Sequence, residues 1–125
     1  MINSMKATAI RNFNDNNMYK DSASVYRYVD VKNGDGSTVQ KLKGIPEISA
    51  IPCLMNIEST DAAASSGEVN SVNMVYTMFI SDLISIKAGD YINIRRHGED
   101  YKFIAGEPVR YDFHQEVPLN LKEWA

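Results

Sequence analysis

SVYRYVDVKNGDGSTVQKLK, residues 24–43, is the stretch on which the fold turns. From Val25 to Val31 it alternates: Val25, Arg27, Val29 and Val31 fall on one face, Tyr26, Tyr28 and Asp30 on the other. β-branched and aromatic residues at a period of two predict a strand. Asn33-Gly34-Asp35-Gly36 tolerates the positive φ that a tight turn needs, so Thr38 to Lys43 is expected to return as the partner strand. The first hairpin therefore spans roughly 24–43.

Downstream the same grammar repeats. Ala50 to Ile57 reads as a strand whose Pro52 lacks a ladder donor, which favours an edge or a bulge. Asn73 to Ile80 is apolar on both alternating faces, as in a strand covered on both sides by a core or by neighbouring subunits. Tyr91 to Arg95, the Gly98 turn and Tyr101 to Ile104 form a second hairpin; Val109 to Phe113 is extended, and Leu119 to Trp124 reads as a short tail. Six or seven short strands with Gly and Pro punctuation and no strong helical period predict an all-β small barrel or sandwich.

Two regions break the pattern. Residues 1–23 are rich in asparagine and hold no sustained period, so they read as an arm, with a short strand at its end as a further reading; the domain proper is 24–124. Residues 58–72 are small, polar and acidic, longer than an ordinary connection. They suit a surface loop, or a short helix through Ala62 to Ala64 capped by Ser59 or Thr60.

The chain has 125 residues, 44% apolar, which is enough for one domain with one core. Its formal charge of −3 argues against a uniformly basic nucleic-acid binder. No apolar run approaches the ~18 residues of a membrane-spanning helix, and the first residues lack the pattern of a signal peptide, so a soluble cytosolic product is expected. Cys53 is the single cysteine, so no intrachain disulfide or cysteine-based zinc site can form, and its apolar setting predicts an inert buried thiol.

Catalytic motifs are missing. His97 sits in a turn and His114 beside an apolar segment, at a spacing that suits no metal helix. Reading 31–42 as a calcium loop would put Val31 and Leu42 at ligand positions. Glu58 with Asp61, and Glu99 with Asp100, look like solvated charges. The chain is expected not to be an enzyme, and to need no cofactor and no metal. Arg95, Arg96 and Lys102, with Tyr91 and Tyr101 nearby, are the densest basic cluster; on an OB-like barrel they would offer a nucleic-acid face, and otherwise a salt-bridged strand end.

The segment from Asp82 to Ile94 (DLISIKAGDYINI), followed by YKFIAGEP at 101–108, resembles the I-K-x-G-D-x-I … Y-x-x-x-G-x-P segment of small head-tail joining proteins of long-tailed phages. YDFHQEVPL at 111–119 is similar to that group's Y-x-x-H-x-E-V-x-L ending, and the likeness covers about residues 24–124. It implies a β-barrel subunit, most of all a head closure (stopper) protein, that forms a homo-oligomeric ring in the virion neck. A tail terminator or an adaptor at the same junction is the alternative within the class, and an OB-like nucleic-acid module the alternative outside it.

The resemblance further implies a portal or adaptor protein above the ring, and a tail terminator or tail tube below. Packaged DNA would occupy the lumen without sequence recognition, no membrane would be involved, and assembly would take place in the host cytoplasm. In stopper members a long loop between two strands closes the channel, a role to which 58–72 would correspond. Glu58, Asp61 and Glu68 would then face the lumen, where negative charge discourages DNA from sticking. Ring contacts are expected from the 1–23 arm and the 109–124 tail, with Met74, Tyr76, Met78, Tyr111, Phe113, His114 and Trp124 as interface residues.

Overall fold

Alternate residues of six strands turn inward and meet. Ala23 and Val25 come from β1 (Asp21–Lys32), Cys53 and Met55 from β3 (Ile51–Asp61), and Met78 and Ile80 from β4 (Val72–Ile80). Ile92 and Ile94 come from β5 (Tyr91–Arg96), Phe103 and Ala105 from β6 (Glu99–Ala105), and Val117 and Leu119 from β8 (Gln115–Leu121). These side chains form one buried cluster, closed over by Ile48 and Ile86 from connecting segments. The computed structural model describes residues 4–61 and 72–121.

The six strands close on themselves: β1 pairs with β3 and β5, β3 with β4, β4 with β8, β8 with β6, and β6 with β5, all antiparallel. The result is a closed barrel, as the alternating strands predict. Two strands lie outside the ring: β2 (Thr38–Gly44) on the outer half of β1, and β7 (Val109–Arg110) on β8. The strands are staggered. Asp21 lies opposite Cys53, Cys53 opposite Ile80 and Ile80 opposite Gln115. By the other route, Tyr26 lies opposite Tyr91, Tyr91 opposite Ile104 and Ile104 opposite Asn120. Moving up β1 should move back along antiparallel β8, yet the second route arrives further along it; that offset is the shear that tilts barrel strands.

The two predicted hairpins form. Asn33 N–H donates to Ser37 O and Gly36 N–H to Asn33 O, while the Asp35 carboxylate accepts from the Ser37 N–H and hydroxyl. The β5–β6 turn uses His97 and Gly98, both at positive φ. Pro52 lies inside the sheet opposite Ser22. The N–H and C=O of Met55 point away from β4, so the donor missing at Pro52 falls on the β4 side, past the end of β4 at Ile80 opposite Cys53.

Four expectations are corrected. The 1–23 arm holds an α-helix, α1 (Ser4–Phe13), and a π-helical turn, Asn14–Met18; β1 then starts at Asp21 rather than 24. Helix α1 escaped the period test because it does not build the core: Met5 and Phe13 stay exposed. Val29 and Val31 do not join the core beside Val25, because β1 leaves the barrel after Tyr26, its last partner on β5. The C-terminal tail is a barrel strand: Gln115, Val117 and Leu119 are buried, with Pro118 and Asn120 outward. Pro118 masked that alternation to the eye. Extended structure in 109–113 is confined to Val109–Arg110.

Candidate functional site

Two ribbons outrun the barrel. The β1–β5 ladder stops at Tyr26, while β1 stays paired with β2 as far as Lys32 opposite Thr38. The β1–β3 ladder covers only Ile51 to Cys53 and the β4–β8 ladder only Tyr76 to Ile80, while β3 and β4 stay paired out to Asp61 opposite Val72. Because β1 and β3 are antiparallel, the ribbons leave from opposite ends of the barrel.

Each end is sealed by an arginine–aspartate pair. At the β3–β4 end, Arg96 donates Nε–H to Asp21 Oδ1 at 3.0 Å and Nη2–H to Oδ2 at 2.8 Å. Asp21 also accepts the Met55 N–H at 2.8 Å, and Arg96 donates to Met55 O. The two side chains thus satisfy the edge of β3 where the β1 ladder ends, a buried place where an unpaired backbone would be costly. Burial by itself would raise the Asp21 carboxyl; hydrogen bonds from Arg96 and Met55 outweigh it and hold the group below its usual range.

At the opposite end Arg27 donates Nε–H to Asp90 Oδ1 at 2.7 Å and Nη2–H to Oδ2 at 2.8 Å, and Asp90 caps Lys87 N–H. Gln115, fully buried, donates to Ser81 O and Ile84 O and so pins the β4–β5 connection. A third pair joins α1 to that connection: Arg11 donates to both Asp82 oxygens at 2.8 Å, and its guanidinium lies 5.8 Å from the Phe113 ring centre. The hydrogen bond to Asp82 raises Arg11 and, reciprocally, lowers Asp82. The sequence by itself assigns no partner to any of the three aspartates, which stand in loops or at a strand start and take partners 63 to 75 residues away.

The predicted site residues separate accordingly. Glu58 is exposed on the β3–β4 ribbon, where its Oε1 accepts from Asn56 at 3.3 Å. Asp61 is the last residue of β3, and its side chain lies outside the described residues, as do Glu68, Trp124 and the Ala62 to Ala64 stretch with its helical alternative. On β4, Met74 is 48% exposed, Tyr76 is half-buried with its ring 5.1 Å from Phe103, and Met78 is fully enclosed. Met78 is therefore a core residue and offers nothing to a neighbour.

Tyr111 is exposed and stacks on His114 at 4.8 Å; His114 Nε2 is 3.3 Å from Glu116 Oε2. Phe113 is half-buried beneath Arg11. The arm and the tail, separate in sequence, thus meet where Arg11 lies over Phe113.

The basic cluster does not converge. Arg95 and Arg96 are consecutive on β5 and point to opposite faces; Arg95 pairs with Asp100 at 3.2 Å and Arg96 with Asp21. Lys102 lies across from Asn93. The salt-bridged strand end describes both arginines better than a phosphate face does.

Cys53 is fully buried, and burial followed by the nearby Asp21 charge pushes its thiol up to about 12. In the folded protein it should resist maleimide at neutral pH and react at once in denaturant; equal labelling rates in the two states would contradict the enclosed barrel. Among the described residues no group of three or more His, Cys, Asp or Glu is placed to hold a metal, and no described helix is long and apolar enough to cross a membrane. No family model, curated protein or solved structure matches the chain.

Proposed function

We propose that this chain is a structural protein of the phage neck, a head closure subunit that forms a homo-oligomeric ring between the DNA-filled capsid and the tail. The observation that carries the reading is the β3–β4 ribbon, which outruns the barrel as far as Asp61 opposite Val72 and carries the stretch of sequence 58–72, whose charged residues are Glu58, Asp61 and Glu68. A ribbon with acid and no base in that stretch suits a channel occupied by DNA, since like charge keeps phosphate from adhering. The likeness of 82–119 to head-tail joining proteins supplies the biological setting. Portal or adaptor would lie above the ring, tail terminator or tail tube below.

The experiment is a lysate of a phage lacking this gene, assayed for nuclease-protected DNA and imaged by negative stain. Tailless heads emptied of DNA beside complete free tails are the expected outcome, rescued by the wild-type gene. Replacing 59–74 by a tight turn should then yield joined particles that fail to retain DNA. Intact infectious particles from the gene-less lysate would overturn the reading.

A further inference from the structure

Helix α1 is ten residues long, and its apolar side chains go largely unused: Met5 is 82% exposed and Phe13 58%. Helices shorter than ~12–15 residues are marginal in water unless something holds them. What holds this one to the connection after β4 is Arg11, bidentate on Asp82 and lying over Phe113, a part-buried contact in which the Arg11 side chain is 20% and that of Asp82 16% exposed. Between helix and barrel stand the π-helical turn, an extended Tyr19 and Lys20. Met18, in that turn, is also 51% exposed.

An anchor made of one guanidinium and one carboxylate re-forms without loss on the same socket of another copy. An exchange of identical elements keeps every contact of the closed subunit and is a low-cost route to assembly. It also lets the arm lie between two barrels, where Met5, Phe13 and Met18 gain cover that one barrel does not offer. We propose that α1 is an exchangeable arm, and that in the assembled protein Arg11 of one copy occupies the Asp82–Phe113 socket of the next. Such a contact is heterologous, arm to socket, and propagates around a ring. The inference rests on the ring-forming reading above and names the contact that would close it.

The test uses the full chain carrying Asn12→Cys and Leu83→Cys, exposed neighbours of the anchor that leave Arg11 and Asp82 in place, with Cys53→Ala to leave two thiols, bridged by a short bismaleimide across a concentration series and in purified particles. Exchange predicts intrachain bridges at high dilution, giving way to a covalent ladder as concentration rises and in particles. Intrachain bridges alone, in particles that contain the chain, overturn exchange and leave the neck reading standing. Particles that lack the chain overturn the neck reading, and the concentration series then decides exchange by itself. Should the cysteine variant fail to fold, charge reversal replaces it. Arg11→Asp and Asp82→Arg, each defective alone, should assemble when mixed as separate chains; recovery only when both changes share one chain overturns exchange.

Discussion

Asp21→Ala is expected to destabilise the barrel by about 3 kcal/mol, read as a drop in the denaturation midpoint at unchanged slope. The Asp21 side chain is 5% exposed and that of Arg96 24%. Removing the carboxylate leaves a largely enclosed guanidinium without its counter-charge and strips the Met55 N–H of its acceptor. Removing both partners together, Asp21→Leu with Arg96→Met, should cost less than the two single changes added, because no orphaned charge remains even though the Met55 N–H and C=O both lose their partners. A double variant as unstable as the sum of the two single ones would mean that the pair does not act as a unit.

The pair also carries a pH dependence. The folded-state value of Asp21 lies below its unfolded value, so its contribution is present above the unfolded value, ~3.9, and is lost as pH falls through the folded one. Asp82, lowered by Arg11, follows the same sign. Acid should therefore loosen the arm and the β3–β4 end of the barrel in the same direction.

Two methionines four residues apart on β4 should part company. Met78→Ala is expected to cost about 3 kcal/mol, the loss of a fully enclosed side chain plus the void left behind. Met74→Ala, on the projecting ribbon at 48% exposure, should change stability by no more than about 0.5 kcal/mol. If Met74 contributes to a ring contact, its alanine variant will fold normally and assemble poorly, whereas Met78→Ala will assemble poorly only because it folds poorly. Thermal melts beside sedimentation of the same samples separate the two. Equal melting losses would contradict the division between core and ribbon along this strand.

The all-β class and both hairpins were legible because alternation and turn residues act over a few positions. Val25 to Val31, Asn33 to Gly36 and the His97–Gly98 turn needed no distant partner to declare themselves. Two elements were hidden. The helix over Ser4–Phe13 was missed because it lies outside the core and shows no apolar stripe. The strand over Gln115–Leu121 was read as a tail because it carries a proline and opens on a buried glutamine. The site residues fared unevenly for the same reason. Glu58 and Met74 remain exposed and Arg96 pairs as a salt-bridged strand end would, while Met78, expected at an interface, is enclosed.

Local residue order by itself determined that this chain makes short antiparallel strands joined by tight turns, with one long acidic connection and a thiol that faces inward. Only the tertiary structure decided where each strand stops being barrel and becomes ribbon, and which aspartate meets which arginine. Alternation reports that a residue points to one side of a strand. Whether anything lies on that side depends on how far the neighbouring strands extend, and the stagger that sets those lengths is a property of the closed ring, written in no single segment.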